Sequence, residues 1–327
     1  MSRILVTGAA GFVGAAVCAR LLDRGEQVVG FDNFNAYYDV ALKHARVARL
    51  AGRNGFQMVT ADLADPGAVR GLVAASKIDR VVHLGAQAGV RHSIDQPFDY
   101  ERSNLAGHLE VLEAARHEGV SHLVYASSSS VYGDRPRAGE AFSEADAIDH
   151  PVSLYAATKA AGELMSSAYA NLYRFPQTGL RFFTVFGPWG RPDMAYFSFT
   201  RKILAGQPIE VFGEGQMARD FTYIDDIVEG IVGALDHPPA AGENRILNIG
   251  AGRPVELMDM ISILERALGR EAVKIFRPMQ PGDVTRTYAD VSKLAALTGY
   301  QPRVTLEEGL ERFVTWYRGY FGPGSAA

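Results

Sequence analysis

Short apolar runs alternate with amphipathic stretches through the first half of the chain. ILVT at 4–7, QVVGF at 27–31, FQMVT at 56–60, RVVHL at 80–84, HLVYA at 122–126 and GLRFFTVF at 179–186 read as strands. Between them the period lengthens to that of helices near 12–24, 65–75, 99–118 and 152–174. Strands that alternate with helices predict a parallel sheet covered on both faces, a doubly wound α/β fold of the Rossmann type.

After Gly187-Pro188 the rhythm changes. A helix is predicted near 195–205, a strand at 209–212, and helices near 225–236 and 256–268, in a stretch richer in Pro, Gly and Asp. The chain therefore divides into a Rossmann-like part at 1–187 and a smaller mixed lobe at 188–321, ending in a flexible tail at 322–327. Residues 222–250 are expected to return a helix and a strand, RILNIG at 245–250, to the main sheet.

Composition narrows the classes. With 327 residues, 47% of them hydrophobic, the chain can bury a sizeable core. A net charge of -4 gives no electrostatic case for nucleic acid or for an anionic membrane. No apolar run approaches the length of a membrane span, and no charged leader precedes the first strand, so a cytoplasmic protein is expected. Cys18 is the single cysteine; it falls on the apolar pattern of the first helix and reads as an inert buried thiol. No metal site is expected.

The first strand runs directly into Gly8, Gly11 and Gly14, with Phe12 and Val13 opening a helix. Such a turn lets a pyrophosphate approach the backbone at a helix N-terminus, where free N–H groups and the helix dipole favour an anion. The spacing is not the usual GxGxxG, and a glycine turn can be purely structural. Asp32, 18 residues after Gly14 at the end of the second strand and followed by Asn33, adds weight. A carboxylate there accepts from a ribose diol and repels a 2′-phosphate. No Lys or Arg stands between Asp32 and Lys43, which favours NAD over NADP. Asp62 and Leu63, just past the third strand, are placed to flank an adenine, although Asp62 is nearly as well suited to capping a helix.

Tyr155 and Lys159 are four apart and so share one helix face. A free phenol is a poor base at neutral pH, and a neighbouring ammonium favours its ionised form. Such pairs arise often by chance. The run Ser127-Ser128-Ser129-Ser130 closing the fifth strand changes the weighing, because ligands of doubly wound sheets sit beyond the carboxyl ends of the strands.

GAAGFVG, Asp32, HLGAQAGVRHS (83–93), Asn104, YASSSSVYG (125–133), SLYAATK (153–159) and LRFFTVFGP (180–188) together resemble the extended short-chain dehydrogenase/reductase family. FGPWGRPDMA (186–195), VFGEGQMARDFTYIDD (211–226) and QPGDVTRTYAD (280–290) are most similar to its UDP-glucuronate 4-epimerase group. The resemblance spans almost the whole chain. It implies Ser128 as the serine bonded to the reacting hydroxyl, Tyr155 as the acid/base, and Lys159 as the group that holds the nicotinamide ribose and lowers the tyrosine pKa. It places Asn104 near the cofactor. It also implies Arg219 as the arginine of the substrate diphosphate, Arg191 as a second candidate, and Asp283 near the nucleotide.

Related dehydratases carry Asp-Glu after the serine/threonine position, and related decarboxylases a Glu two residues after it, because elimination needs a further acid and base. Here those residues are Ser129 and Ser130. The resemblance thus implies C4 epimerisation of a UDP-sugar, UDP-glucuronate to UDP-galacturonate, with bound NAD. Ser129, Ser130 and Thr184 are then candidates to hold the uronate carboxylate, and Arg91 to attract it. A UDP-glucose/UDP-galactose 4-epimerase is the nearest alternative. A nucleotide-sugar reductase or decarboxylase, or a non-catalytic NAD-binding regulator, stands further off. A homodimer through the long helices near 99–118 and 152–174 is also expected from the family.

Overall fold

The computed structural model describes residues 2–134, 140–280, 282 and 284–322. Of the expectations above, Asp283 and residues 323–327 of the tail lie outside the described residues.

Seven parallel strands form the main sheet: β1 (Arg3–Thr7), β2 (Gln27–Asp32), β3 (Phe56–Thr60), β4 (Arg80–His83), β5 (His122–Ser128), β6 (Gln177–Phe182) and, late in the chain, β10 (Asn244–Ile249). Their order is β10-β6-β5-β4-β1-β2-β3, so chain direction across the sheet reverses between β1 and β4. Such a switch point opens a crevice at the carboxyl ends of the strands. Successive side chains of β1 enter different cores, as a strand's period of two requires. Ile4 and Val6 join the cluster that includes Val17 and Leu21 of helix α1 (Phe12–Asp23) and Ile227 and Ile231 of α9 (Ile224–Asp236). Leu5 joins the opposite cluster, with Val69 and Val73 of α3 (Ala68–Ser76) and Val111 and Leu112 of α6 (Gly107–Glu118). The sheet is covered on both faces.

Two features depart from the periodicity. GLRFFTVF is not one strand: β6 ends at Phe182, and β7 (Thr184–Phe186) pairs instead with β9 (Ala218–Tyr223) in a second sheet that also contains β11 (Pro254–Glu256) and β13 (Arg286–Thr287). Phe183 is the crossing residue, buried against Tyr132, Phe142 and Ala289, while its N–H donates to Ile249 O at 3.1 Å. The helix expected at 99–118 is composite, with α5 (Pro97–Tyr100), a π-helical stretch at Glu101–Ala106, and α6.

Around the second sheet lie a two-stranded parallel sheet of β8 (Ile209–Phe212) and β12 (Lys274–Arg277), and helices α8 (Ala195–Leu204), α10 (Leu257–Leu268), α11 (Ser292–Thr298) and α12 (Leu306–Phe321). Helix α2 (Val40–Ala48), the short α4 (His92–Asp95) and the long α7 (Leu154–Tyr173) complete the fold. Neither α2 nor α12 is anticipated by the apolar pattern. Among the described residues no helix is long and apolar enough to cross a membrane. Cys18 is fully buried in α1, and burial pushes its thiol up.

Candidate active site

At the carboxyl ends of the strands a cavity of about 730 Å³ opens between the two sheets, within the range of small-molecule sites. Its wall includes Gly8, Gly11, Phe12, Val13, Gly14, Asp32, Asn33, Asp62 and Leu63 from the dinucleotide reading. Ser128, Ser129, Ser130, Tyr155, Lys159, Arg91, Thr184 and Arg191 line the same cavity. One concave surface thus gathers residues dispersed over nearly two hundred positions.

The glycine turn has the shape of a cradle. Gly8 sits at φ +71°, where a Cβ would also stand 2.8 Å from the N of Gly85. At Gly14 a Cβ would collide with Gly8 O at 2.0 Å. Gly11 caps α1 and supplies no side-chain bond, so the first-turn N–H groups remain directed outward. Asp32 fixes the turn from the side, accepting from Ala10 N at 3.0 Å and Phe34 N at 2.8 Å. A carboxylate has lone pairs left after two such bonds.

No Lys or Arg stands between Asp32 and Lys43, and Lys43 itself lines the cavity, donating to Asn35 Oδ1 at 2.6 Å. Burial lowers its pKa, and Asp32 works against that. Asp62 lines the cavity and accepts from Ala64 N at 2.9 Å in a local turn; it caps no helix, since the N-cap of α3 is Gly67.

Helix α7 starts on Ser153, whose hydroxyl accepts from Ala156 N at 3.1 Å. This N-cap sets Tyr155 and Lys159 against the end of β5. The Lys159 ammonium donates to Ala126 O at 2.9 Å. Burial lowers its pKa to about 8, opposed by the carboxylate of Glu163. Burial raises the Tyr155 phenol, while a hydrogen bond from Ser128 and the charge of Arg191 pull it back. Ser128 Oγ in turn accepts from Ser130 N at 3.2 Å as N-cap of a short 3-10 turn, Ser129–Tyr132. Arg191 is forked onto Asp193 at 3.0 and 2.5 Å, and the Tyr37 hydroxyl donates to Asp193 at 3.2 Å.

Two residues stand back from the cavity. Asn104, in the π-helical stretch, accepts from Gln87 N at 2.8 Å and donates to Gln87 O and Thr158 Oγ1, both at 3.0 Å. It acts by holding the Gln87 wall against α7. Arg219 directs its guanidinium to Ala218 O at 2.9 Å and Thr285 O at 3.2 Å. Arg91 does face the cavity, its guanidinium 4.9 Å over the ring of Phe212. Tyr37, Lys43, Gln87, Asp193 and Lys202 line the cavity without having been singled out from sequence. Among the described residues no group of three or more His, Cys, Asp or Glu could hold a metal ion.

A family model described as the NAD dependent epimerase/dehydratase family matches residues 4–250. A probable UDP-glucuronate 4-epimerase of Rhizobium meliloti (strain 1021) is 48% identical over 332 residues, covering 96% of each chain. UDP-glucuronate 4-epimerase 3 of Arabidopsis thaliana is 46% identical, covering 99% of this chain and 78% of that one. Among solved structures, the UDP-glucuronic acid 4-epimerase of Bacillus cereus, in complex with UDP-glucuronic acid and NAD, superposes with a TM-score of 0.90 at 37% identity. It covers 97% of this chain and 99% of that chain.

Proposed function

The chain belongs to the NAD dependent epimerase/dehydratase family, and from that premise we propose that it interconverts UDP-glucuronate and UDP-galacturonate by epimerisation at C4. The observation that carries this reading is the cluster of Ser128, Ser129, Ser130 and Thr184 in one cavity with Tyr155 and Lys159. Hydroxyls stand where loss of water would call for an additional acid and base.

The residues present fit NAD. Side chains at Gly8 and Gly14 would fill the cradle, the uncapped start of α1 suits a diphosphate, and Asp32 is placed for a ribose diol. Bound NAD would supply the hydride acceptor and, afterwards, the hydride donor. The remaining chemistry falls to the side chains. Tyr155 takes the proton of the 4-hydroxyl as the C4–H bond breaks, and Ser128 donates to the oxygen. The 4-keto sugar then turns within the cavity, and Tyr155 returns the proton once hydride has been added to the other face.

A 4-keto uronate is a β-keto acid, which loses CO₂ when the bond to its carboxylate aligns with the carbonyl π system. Ser129, Ser130 and Thr184 hold the carboxylate out of that alignment in this reading. Arg91 adds attraction for the acid. Arg191 reaches a substrate diphosphate by exchanging Asp193 for it, with Arg219 as the other arginine of the reading.

Incubation of the purified protein with UDP-glucuronate, without added cofactor, followed by NMR of the sugar, tests the proposal. UDP-galacturonate supports it. A UDP-pentose, no reaction, or faster turnover of UDP-glucose overturns it.

We also propose a homodimer through α6 and α7. Leu109, Leu164 and Leu172 on these helices are 40%, 68% and 66% exposed, an apolar surface that burial in an interface would remove from water.

A further inference from the structure

Arg46 of α2 is a fully buried guanidinium in no ion pair among the described residues. Nε and Nη2 both donate to Trp189 O, at 2.9 and 2.7 Å, and Nη2 donates again to Gly190 O at 2.9 Å. Nη1 donates to Ala10 O at 3.2 Å and to the Tyr38 hydroxyl at 2.6 Å. A guanidinium has five N–H groups in a rigid plane, and all five are used. Burying an unpaired charge is costly unless its hydrogen bonds are complete. Packing alone would be served better by an apolar side chain.

The two backbone segments that Arg46 joins belong to different halves of the cavity. Ala10 lies in the glycine turn, one residue before the cap of α1, with its own N–H on Asp32. Trp189 and Gly190 immediately precede Arg191. Trp189 is left-handed at φ +64°, a region costly for a bulky residue that its surroundings must hold in place. Helix α2 supplies the restraint twice, since Arg49 also lies 4.7 Å over the Trp189 ring.

We propose that Arg46 is a positioning residue that couples the dinucleotide turn to the Arg191 loop, so that a nucleotide bound on one side strengthens binding on the other. The proposal rests on the function proposed above for the identity of the two ligands. A planar fork cannot adjust to one carbonyl set without moving against the other, so fixing Ala10 fixes Trp189 and Gly190. Binding free energies coupled in this way are reciprocal. The benefit is specific to a reaction that removes a hydride and gives it back, because the dinucleotide must not leave while the sugar is oxidised.

The test follows loss of NAD from the purified holoprotein on dilution, with and without saturating UDP, which cannot react. In the wild type UDP slows the loss by about tenfold, a typical size for coupled sites. Arg46→Lys keeps the charge but loses the fork, and the factor drops below about twofold while thermal unfolding still shows one cooperative transition. Tyr38→Phe removes one bond of the five and gives an intermediate factor. An NAD-loaded wild type indifferent to UDP, or an Arg46→Lys protein that keeps the full factor, overturns the coupling alone. A protein that binds no NAD overturns the function as well. If Arg46→Lys does not fold, Tyr38→Phe decides, and an unchanged factor there counts against the proposal.

Discussion

Glu163 and Arg181 form a bidentate ion pair, 2.9 Å from Nε and 2.7 Å from Nη2, with neither side chain more than 5% exposed. Glu163 lies one helical turn after Lys159 and also accepts from Ser127 Oγ at 2.5 Å. Glu163 thus ties both β6 and the end of β5 that carries Ser128 to the helix that carries Tyr155. Removing one member leaves the other as an uncompensated buried charge. Glu163→Gln is expected to lower the unfolding free energy in urea by about 3–5 kcal/mol. Glu163→Leu combined with Arg181→Met should restore most of that loss. A double variant less stable than Glu163→Gln would contradict this account.

Tyr155→Phe retains the buried ring and loses the ionisable oxygen. Epimerisation should fall by about three orders of magnitude, the middle of the range for a positioned acid/base, with NAD content and UDP-sugar affinity unchanged. Ser128→Ala, which removes a donor to that oxygen, should cost about tenfold to a hundredfold. Single-turnover rates decide; near-wild-type activity in Tyr155→Phe would refute the assignment.

If the hydroxyls guard the carboxylate, their removal changes the product. Thr184→Val with Ser129→Ala should release a UDP-pentose from UDP-glucuronate, visible by NMR, while the wild type releases none. Clean turnover by the double variant would exclude this role.

Three buried histidines make the fold sensitive to acid. Burial lowers His108 to about 3 and His122 to about 4. It also holds His83, stacked on His108 with centroids 5.2 Å apart, well below the ordinary range. Below about pH 6.5 the unfolded chain takes up protons that the folded rings refuse, so stability falls as the pH drops from there toward 4. Each histidine should cost about 2 kcal/mol between pH 7 and 5. His122 contacts Leu235 O and Thr178 Oγ1; His122→Gln should flatten the profile by that amount. A slope unchanged in the variant would assign the acid sensitivity elsewhere.

Leu164→Glu, at a position 68% exposed on α7, should convert a dimer into a monomer in analytical ultracentrifugation without loss of helical signal. A wild type that sediments as a monomer at micromolar concentration would remove the dimer proposal.

The doubly wound sheet was legible because its strands are buried on both faces and read as unbroken apolar runs. Even RILNIG, far along the chain, showed its return to the sheet. GLRFFTVF misled because the largely apolar run continues from β6 through Phe183 into β7, so apolarity gives no sign of the crossing. Helix α2 was missed because its interior holds Lys43 and Arg46, whose buried heads break the apolar stripe. The glycine turn, the serine run and the Tyr/Lys spacing are local patterns, and all appear together in the cavity. Tyr37 meets Asp193 from 156 positions away, and Lys43 comes near Asp32 only once the chain has turned back through α2; no local spacing announces such contacts.

The crossing at Phe183 bears on how this cavity can change over evolutionary time. Main-sheet strand and second-sheet strand are consecutive residues, and β9 leads through α9 into β10, back to the main sheet. The chain therefore passes between the two halves several times, and no single cut separates a cofactor part from a sugar part. A lineage built this way cannot acquire a new sugar by recombining with another gene's lobe. It must instead alter the wall one side chain at a time, at positions such as Ser129, Thr184 and Arg91, while the strands beneath them stay in register.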